Sequence, residues 1–150
     1  RCRVRGNQII LRMGGETFRG RSTLYLKRMI RQQCDQRVPL HRLRLRGVNL
    51  VAKSRMGLGY ARLQVGYDYS RRHRIGGFSR NFENMRRYDR VFIRNPSRFG
   101  NSRGVWQLKL RGHLKVRKVV LILDDHSRRR RGDDFGDDFG GGFNVPSRSE

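Results

Sequence analysis

At 150 residues the chain suits one compact domain with a short appendage. Its 36 Lys+Arg against 12 Asp+Glu give a net charge of +24, and 35% apolar residues limit the size of its core. The longest strongly apolar stretch, Val119 to Leu123, is far too short for a membrane-spanning helix.

In chain order, Gln8 to Met13 reads as a short strand and Gly14-Gly15 as a turn. Ser22 or Thr23 is placed to cap a helix over Leu24 to Gln33, with Leu26, Met29 and Ile30 on one face and Lys27, Arg28 and Arg31 on the other. Leu43 and Leu45 alternate with Arg42, Arg44 and Arg46, the pattern of a half-buried strand with a basic outer face. The apolar parity shifts after Gly47 to Val48, Leu50 and Ala52, which predicts a β-bulge there. Ala61, Leu63 and Val65 then alternate with Arg62 and Gln64, and Val91 and Ile93 with Arg90 and Arg94. Finally Trp106, Leu108 and Leu110 alternate with Gln107, Lys109 and Arg111, continuing through Leu114 and Val116 to Leu123. That run exceeds a typical strand, so a turn or sharp bend is expected at Arg111-Gly112.

The composition divides the chain. Residues 1–123 hold 31 basic and five acidic residues, a net of +26, whereas 124–150 have a net of −2. The expected organisation is a basic domain over 1–123 and a tail over 124–150, with an arginine run followed by acidic, Gly/Phe-rich repeats. The fold expected is mainly β: an antiparallel β-sandwich or jelly-roll-like domain with one short helix and a low-complexity C-terminal tail. A small barrel is the alternative.

Three groups of residues carry a resemblance: Val51-Ala52-Lys53-Ser54-Arg55 with Gly57, then Tyr88-Asp89-Arg90-Val91 and Asn95-Pro96-Ser97, then Trp106-Gln107-Leu108. They are similar to segments of small exported bacterial β-sandwich proteins of unknown activity, over residues 16–123. The resemblance implies export and a sandwich. It names no functional residue.

Catalytic signatures are missing from the pattern. The carboxylates of the basic domain are scattered singly; Glu83 and Asp89 read as an acid pair or, more simply, as arginine partners. No two of His41, His73, His113 and His126 stand at zinc-protease spacing, and Asp124-Asp125-His126 reads as a solvated junction beside Arg128–Arg131. Gly57-Leu58-Gly59 is a fragment of a phosphate loop without the strand-to-helix setting. The expectation is a protein that is not an enzyme and uses no metal or cofactor. Cys2 and Cys34 suit neither a metal site nor a C-x-x-C motif; they are either a disulfide or two thiols, according to compartment. Extracellular or periplasmic placement is expected, with a cytoplasmic, nucleic-acid-associated role as the alternative.

Binding is the stronger signal. Only five of the cations are lysines, and arginine's planar fork pairs bidentately with phosphate or carboxylate and stacks on flat rings. Arg71, Arg72, Arg74, Arg80, Arg86 and Arg87 are interleaved with Tyr67, Tyr69, Phe78 and Phe82, cations for phosphates with rings for stacking. A second basic row is expected from Arg42, Arg44 and Arg46, joined by Lys109, Arg111, Lys115 and Arg117 if those strands are neighbours. Like charges facing each other across a sheet repel unless an anion lies between them. The expected partner is therefore a polyanion: DNA, RNA, lipopolysaccharide or an acidic glycan. A self-assembling subunit of an envelope layer, filament or capsid-like shell is the alternative. In it Asp133, Asp134, Asp137 and Asp138 with Phe135, Phe139 and Phe143 meet a basic face of another copy.

Overall fold

A computed structural model describes residues 2–35, 37–76 and 87–125, without the side chain of Asp125. The fold is mainly β. Its strands are β1 (Cys2–Arg5), β2 (Gln8–Phe18), β3 (Arg21–Tyr25), β4 (Leu43–Val65), β5 (Asp68–Tyr69), β6 (His73–Ile75), β7 (Asp89–Arg94) and β8 (Trp106–Asp125). One helix, α1 (Leu26–Gln33), follows β3, and a 3-10 turn, Leu40–Arg42, precedes β4. All eight strands join one antiparallel sheet. Its spine is the pair of long strands β4 and β8, matched from Leu43↔Asp125 to Val65↔Trp106. The far edge of β8 carries β2 and β3, and the far edge of β4 carries β7, β6 and β5 in succession.

Alternation along these strands sends one set of side chains into a single apolar cluster. Leu45, Val48, Leu50, Ala61 and Leu63 enter it from β4, and Trp106, Leu108, Leu114, Val119 and Leu121 from β8. Leu26 and Ile30, four residues apart on one face of α1, complete it, each fully buried. Burial of a side chain of this size contributes roughly 1.5–3 kcal/mol, so the helix is held by packing rather than by propensity or capping.

The helix is shorter than the 24–33 expected. Leu24 belongs to β3, where Ser22 pairs with Leu110 and Thr23 with Lys109, so neither hydroxyl caps the helix. Tyr25 is the N-cap and makes no side-chain cap hydrogen bond. Gly14-Gly15 is not a turn between strands but lies inside β2, where the register with β8 shifts between Arg12 and Glu16. Gly47 does sit at a register shift. The segments around Leu43–Ala52 and Ala61–Val65 form one continuous strand rather than two.

The expected break at Arg111-Gly112 is a bend and not a turn, since β8 runs through it. Opposite, β4 shifts register between Met56 and Tyr60. Here the two backbones nearly touch. A Cβ on Gly112, whose φ is 116°, would lie 3.0 Å from the Gly59 Cα and 3.2 Å from the Leu58 carbonyl oxygen. Glycine is required at this point because the opposing atoms are backbone and cannot turn aside. Gly112→Ala should therefore cost about 1–3 kcal/mol, measurable by urea unfolding; an unchanged midpoint would contradict the close approach.

Cys2 of β1 and Cys34 at the C-terminus of α1 form a disulfide, with Cα atoms 4.8 Å apart. Among the described residues no helix is long and apolar enough to cross a membrane.

A candidate polyanion-binding face

The face of the sheet opposite the core is built in cross-strand rungs. Because directly opposed residues share a face, the register gives three consecutive outer rungs at the β8 N-terminal half. The first runs Tyr25–Gln107–Gln64–Tyr69 across β3, β8, β4 and β5. The second is Thr23–Lys109–Arg62, and the third Arg21–Arg111–Tyr60–Arg74. A groove of about 410 Å³ lies here, lined by Arg21, Tyr60, Arg62, Arg72, Lys109 and Arg111 among others. No carboxylate lines it among the described residues.

Rings and cations interlock on this surface. The Arg62 guanidinium lies 4.6 Å from the centre of the Tyr69 ring, and the Arg72 guanidinium 5.8 Å from that of Tyr60. Lys109 also approaches Tyr69, at 5.9 Å. Such contacts contribute about 0.5–1 kcal/mol at exposed sites. They do not neutralise charge. Arg21 faces Arg111 and Arg62 faces Lys109 as directly opposed like-charged pairs.

A second cationic cluster adjoins the bend. Lys53 is opposite Lys115, and Lys53 and Arg117 both lie over Tyr88, at 5.0 and 5.8 Å. Opposed like charges destabilise a strand pair by tenths of a kcal/mol to about 1 kcal/mol, so the outer face works against the fold unless an anion screens it.

The residues singled out from sequence divide between this face and other places. Arg72, Lys109 and Arg111 line the groove, with Tyr69 beside it against Arg62 and Lys109, and Arg74 opposite Tyr60. Lys115 and Arg117 form the second cluster. Tyr67 stands 98% exposed at the tip of the turn joining β4 to β5, and Arg71 and Arg87 are exposed in connecting segments. Phe78, Arg80, Phe82, Glu83, Arg86, His126 and the acidic tail lie outside the described residues.

The expected union of Arg42, Arg44 and Arg46 with Lys109 and Arg111 is corrected. The strands are neighbours, but their antiparallel register puts Arg44 opposite Asp124, at the far end of β4. Arg44 donates to the carbonyl oxygens of Phe99 and Gly100, and Arg46 pairs with Asp124 at 3.4 Å. Arg42 closes the 3-10 turn. These arginines therefore serve a loop and a strand end. Asp89, considered as an acid or an arginine partner, accepts a hydrogen bond from the Gly76 N–H at 2.6 Å.

Two nearby groups are set apart from the groove by burial. Burial lowers the His73 pKa from its ordinary value, against the raising effect of its contact with the Arg71 carbonyl and with a smaller lowering contribution from the Arg71 charge. Burial and then Arg31 lower the Lys27 pKa; its ammonium donates to the Gly104 carbonyl at 2.6 Å and lies over Trp106.

Sequence reasoning missed Arg21, Tyr60 and Arg62 as site residues. The alternation of Arg62 with Ala61 and Leu63 already placed it on an outer face, and only its partner across the sheet was lacking. No family model matches the chain, and comparison with curated proteins and with solved structures found no match.

Proposed function

We propose that this protein is a non-catalytic binder of polyanions, holding a phosphate- or sulfate-bearing chain against the outer face of β3, β8, β4 and β6. The observation that carries the reading is the set of directly opposed like-charged pairs, Arg21/Arg111 and Arg62/Lys109, beside a groove without a carboxylate in its described lining. An anion between such pairs turns a repulsion into two attractions, and arginine forks donate bidentately to phosphate or sulfate oxygens. The groove offers charge, hydroxyls and ring faces, which suits holding a ligand rather than transforming it.

Binding to the folded state alone raises stability by RT ln(1 + [L]/Kd), about 2.7 kcal/mol at a hundredfold excess over Kd. For a chain of this size that is a rise in Tm of roughly 5–10 °C. Thermal melts at low salt with heparin, DNA, RNA and lipopolysaccharide should show such a rise with at least one of them, reversed by added salt. Absence of any shift, with no binding to any of the four, would contradict the proposal.

A further inference from the structure

The first outer rung differs in kind from the two beside it. It carries two tyrosines and two primary amides and no charge: Tyr25 and Gln107, then Gln64 and Tyr69. With three inter-strand steps of about 4.8 Å each, the two rings stand roughly 14 Å apart with the amides between them. The Arg28 guanidinium lies 4.8 Å from the centre of the Tyr25 ring, and Tyr69 has Arg62 at 4.6 Å and Lys109 at 5.9 Å. Each ring nevertheless remains open to solvent, at 44% and 48% exposed respectively. Gln64 donates from Nε2 to the Gly66 carbonyl at 2.8 Å, which fixes its amide and leaves Oε1 free to accept. The cationic rung of Lys109 and Arg62 begins one step of about 6.7 Å along the strands.

We infer that the polyanion is single-stranded nucleic acid, its bases lying on Tyr25 and Tyr69 and its backbone on Lys109, Arg62, Arg111 and Arg21. This rests on the polyanion reading and narrows it. A strip of flat rings and amides running parallel to a strip of cations matches a chain whose flat, polar-edged groups and phosphates run side by side. Stacking needs an open base face, which a duplex hides within its own stack, so the rung discriminates against paired strands. The amides donate and accept at base edges, so they tolerate more than one base. A sulfated glycan meets the cationic rungs equally well and its hydroxyls can bond the amides, but it has no aromatic plane to stack on the two rings.

The test uses fluorescence anisotropy of the full chain with a labelled oligothymidylate, a duplex of equal length, and labelled heparin at one salt concentration. The expected result is tighter binding of the single strand than of the duplex. Tyr69→Ala should weaken the single strand about 5–150-fold, the range that one stacked base contributes. It should leave heparin within about twofold and the salt slope unchanged. Tyr69→Phe retains the ring and should retain the affinity, which separates stacking from any loss of folding. The inference is overturned by single-strand affinity indifferent to Tyr69→Ala, by an equal loss for heparin, or by a duplex that binds as tightly as the single strand; polyanion binding survives all three. Failure of all three probes to bind removes this inference, and the polyanion reading falls with it when RNA and lipopolysaccharide also fail to bind.

Discussion

A chain carrying Arg62→Ala, Lys109→Ala and Arg111→Ala together should bind single-stranded DNA about a hundredfold more weakly at 0.1 M salt, while binding at 1 M salt changes little. The reason is counterion release. Each phosphate neutralised contributes about 0.7 to the slope of log affinity against log salt on a single strand. Loss of three contacts lowers that slope by about 2, and one decade of salt converts this to about two decades of affinity. These three residues occupy two adjacent rungs of the groove and face like charges, so their removal also relieves repulsion within the sheet. That relief offsets the loss of the Arg62 and Lys109 contacts with Tyr69, so the triple variant should fold about as stably as the parent. Loss of affinity with retained stability is the paired outcome to look for in a salt titration and a thermal melt. The same three substitutions at Arg42, Arg44 and Arg46 should behave in the opposite way. Arg44 holds the carbonyl oxygens of Phe99 and Gly100, so that change costs stability and leaves the slope close to that of the parent.

The second large effect concerns the disulfide. Cys2→Ser or Cys34→Ser should lower stability by about 3–4 kcal/mol, the chain-entropy value for a cross-link spanning 32 residues. In a chain of this length the corresponding fall in Tm is roughly 6–16 °C. β1 is four residues long, mostly exposed, and pairs only with β2 among the described strands. Without the bond to the end of α1, this edge is held by its ladder alone. Polyanion affinity should be unchanged, because the groove is lined from β3, β8 and β4 together with Arg72 and involves neither cysteine. Thermal unfolding with and without reductant checks the effect on the parent chain. Coincident melts would contradict it.

Much of the sheet was legible because period-two alternation is a local property. The outer positions Arg62, Gln64, Gln107, Lys109 and Arg111 were each evident from their apolar neighbours. The parity change at Gly47 announced its register shift in the same way. What alternation cannot convey is which strand lies opposite. Arg62 and Lys109 are 47 positions apart in the sequence, and the charge they concentrate exists only in the register that pairs them. The same blindness joined Arg44 to the wrong end of β8, since the carbonyls of Phe99 and Gly100 that hold it are also remote. Arg21 was overlooked because Ser22 and Thr23 fit a helix cap as well as they fit a strand. The strand won because Leu24 and Leu108 pair across it into the core. β5 and β6, of two and three residues, are too short to show any period.

The central claim is that an anionic chain is held on the rungs around Lys109 rather than by the protein's diffuse positive charge. Residue-resolved NMR titration with an oligothymidylate tests this most directly. Shifts should concentrate at Arg21, Thr23, Arg62, Gln64, Lys109 and Arg111, with the Arg42–Arg46 end of β4 silent. Perturbations spread evenly over the arginines, or centred on Arg42–Arg46, would contradict the account.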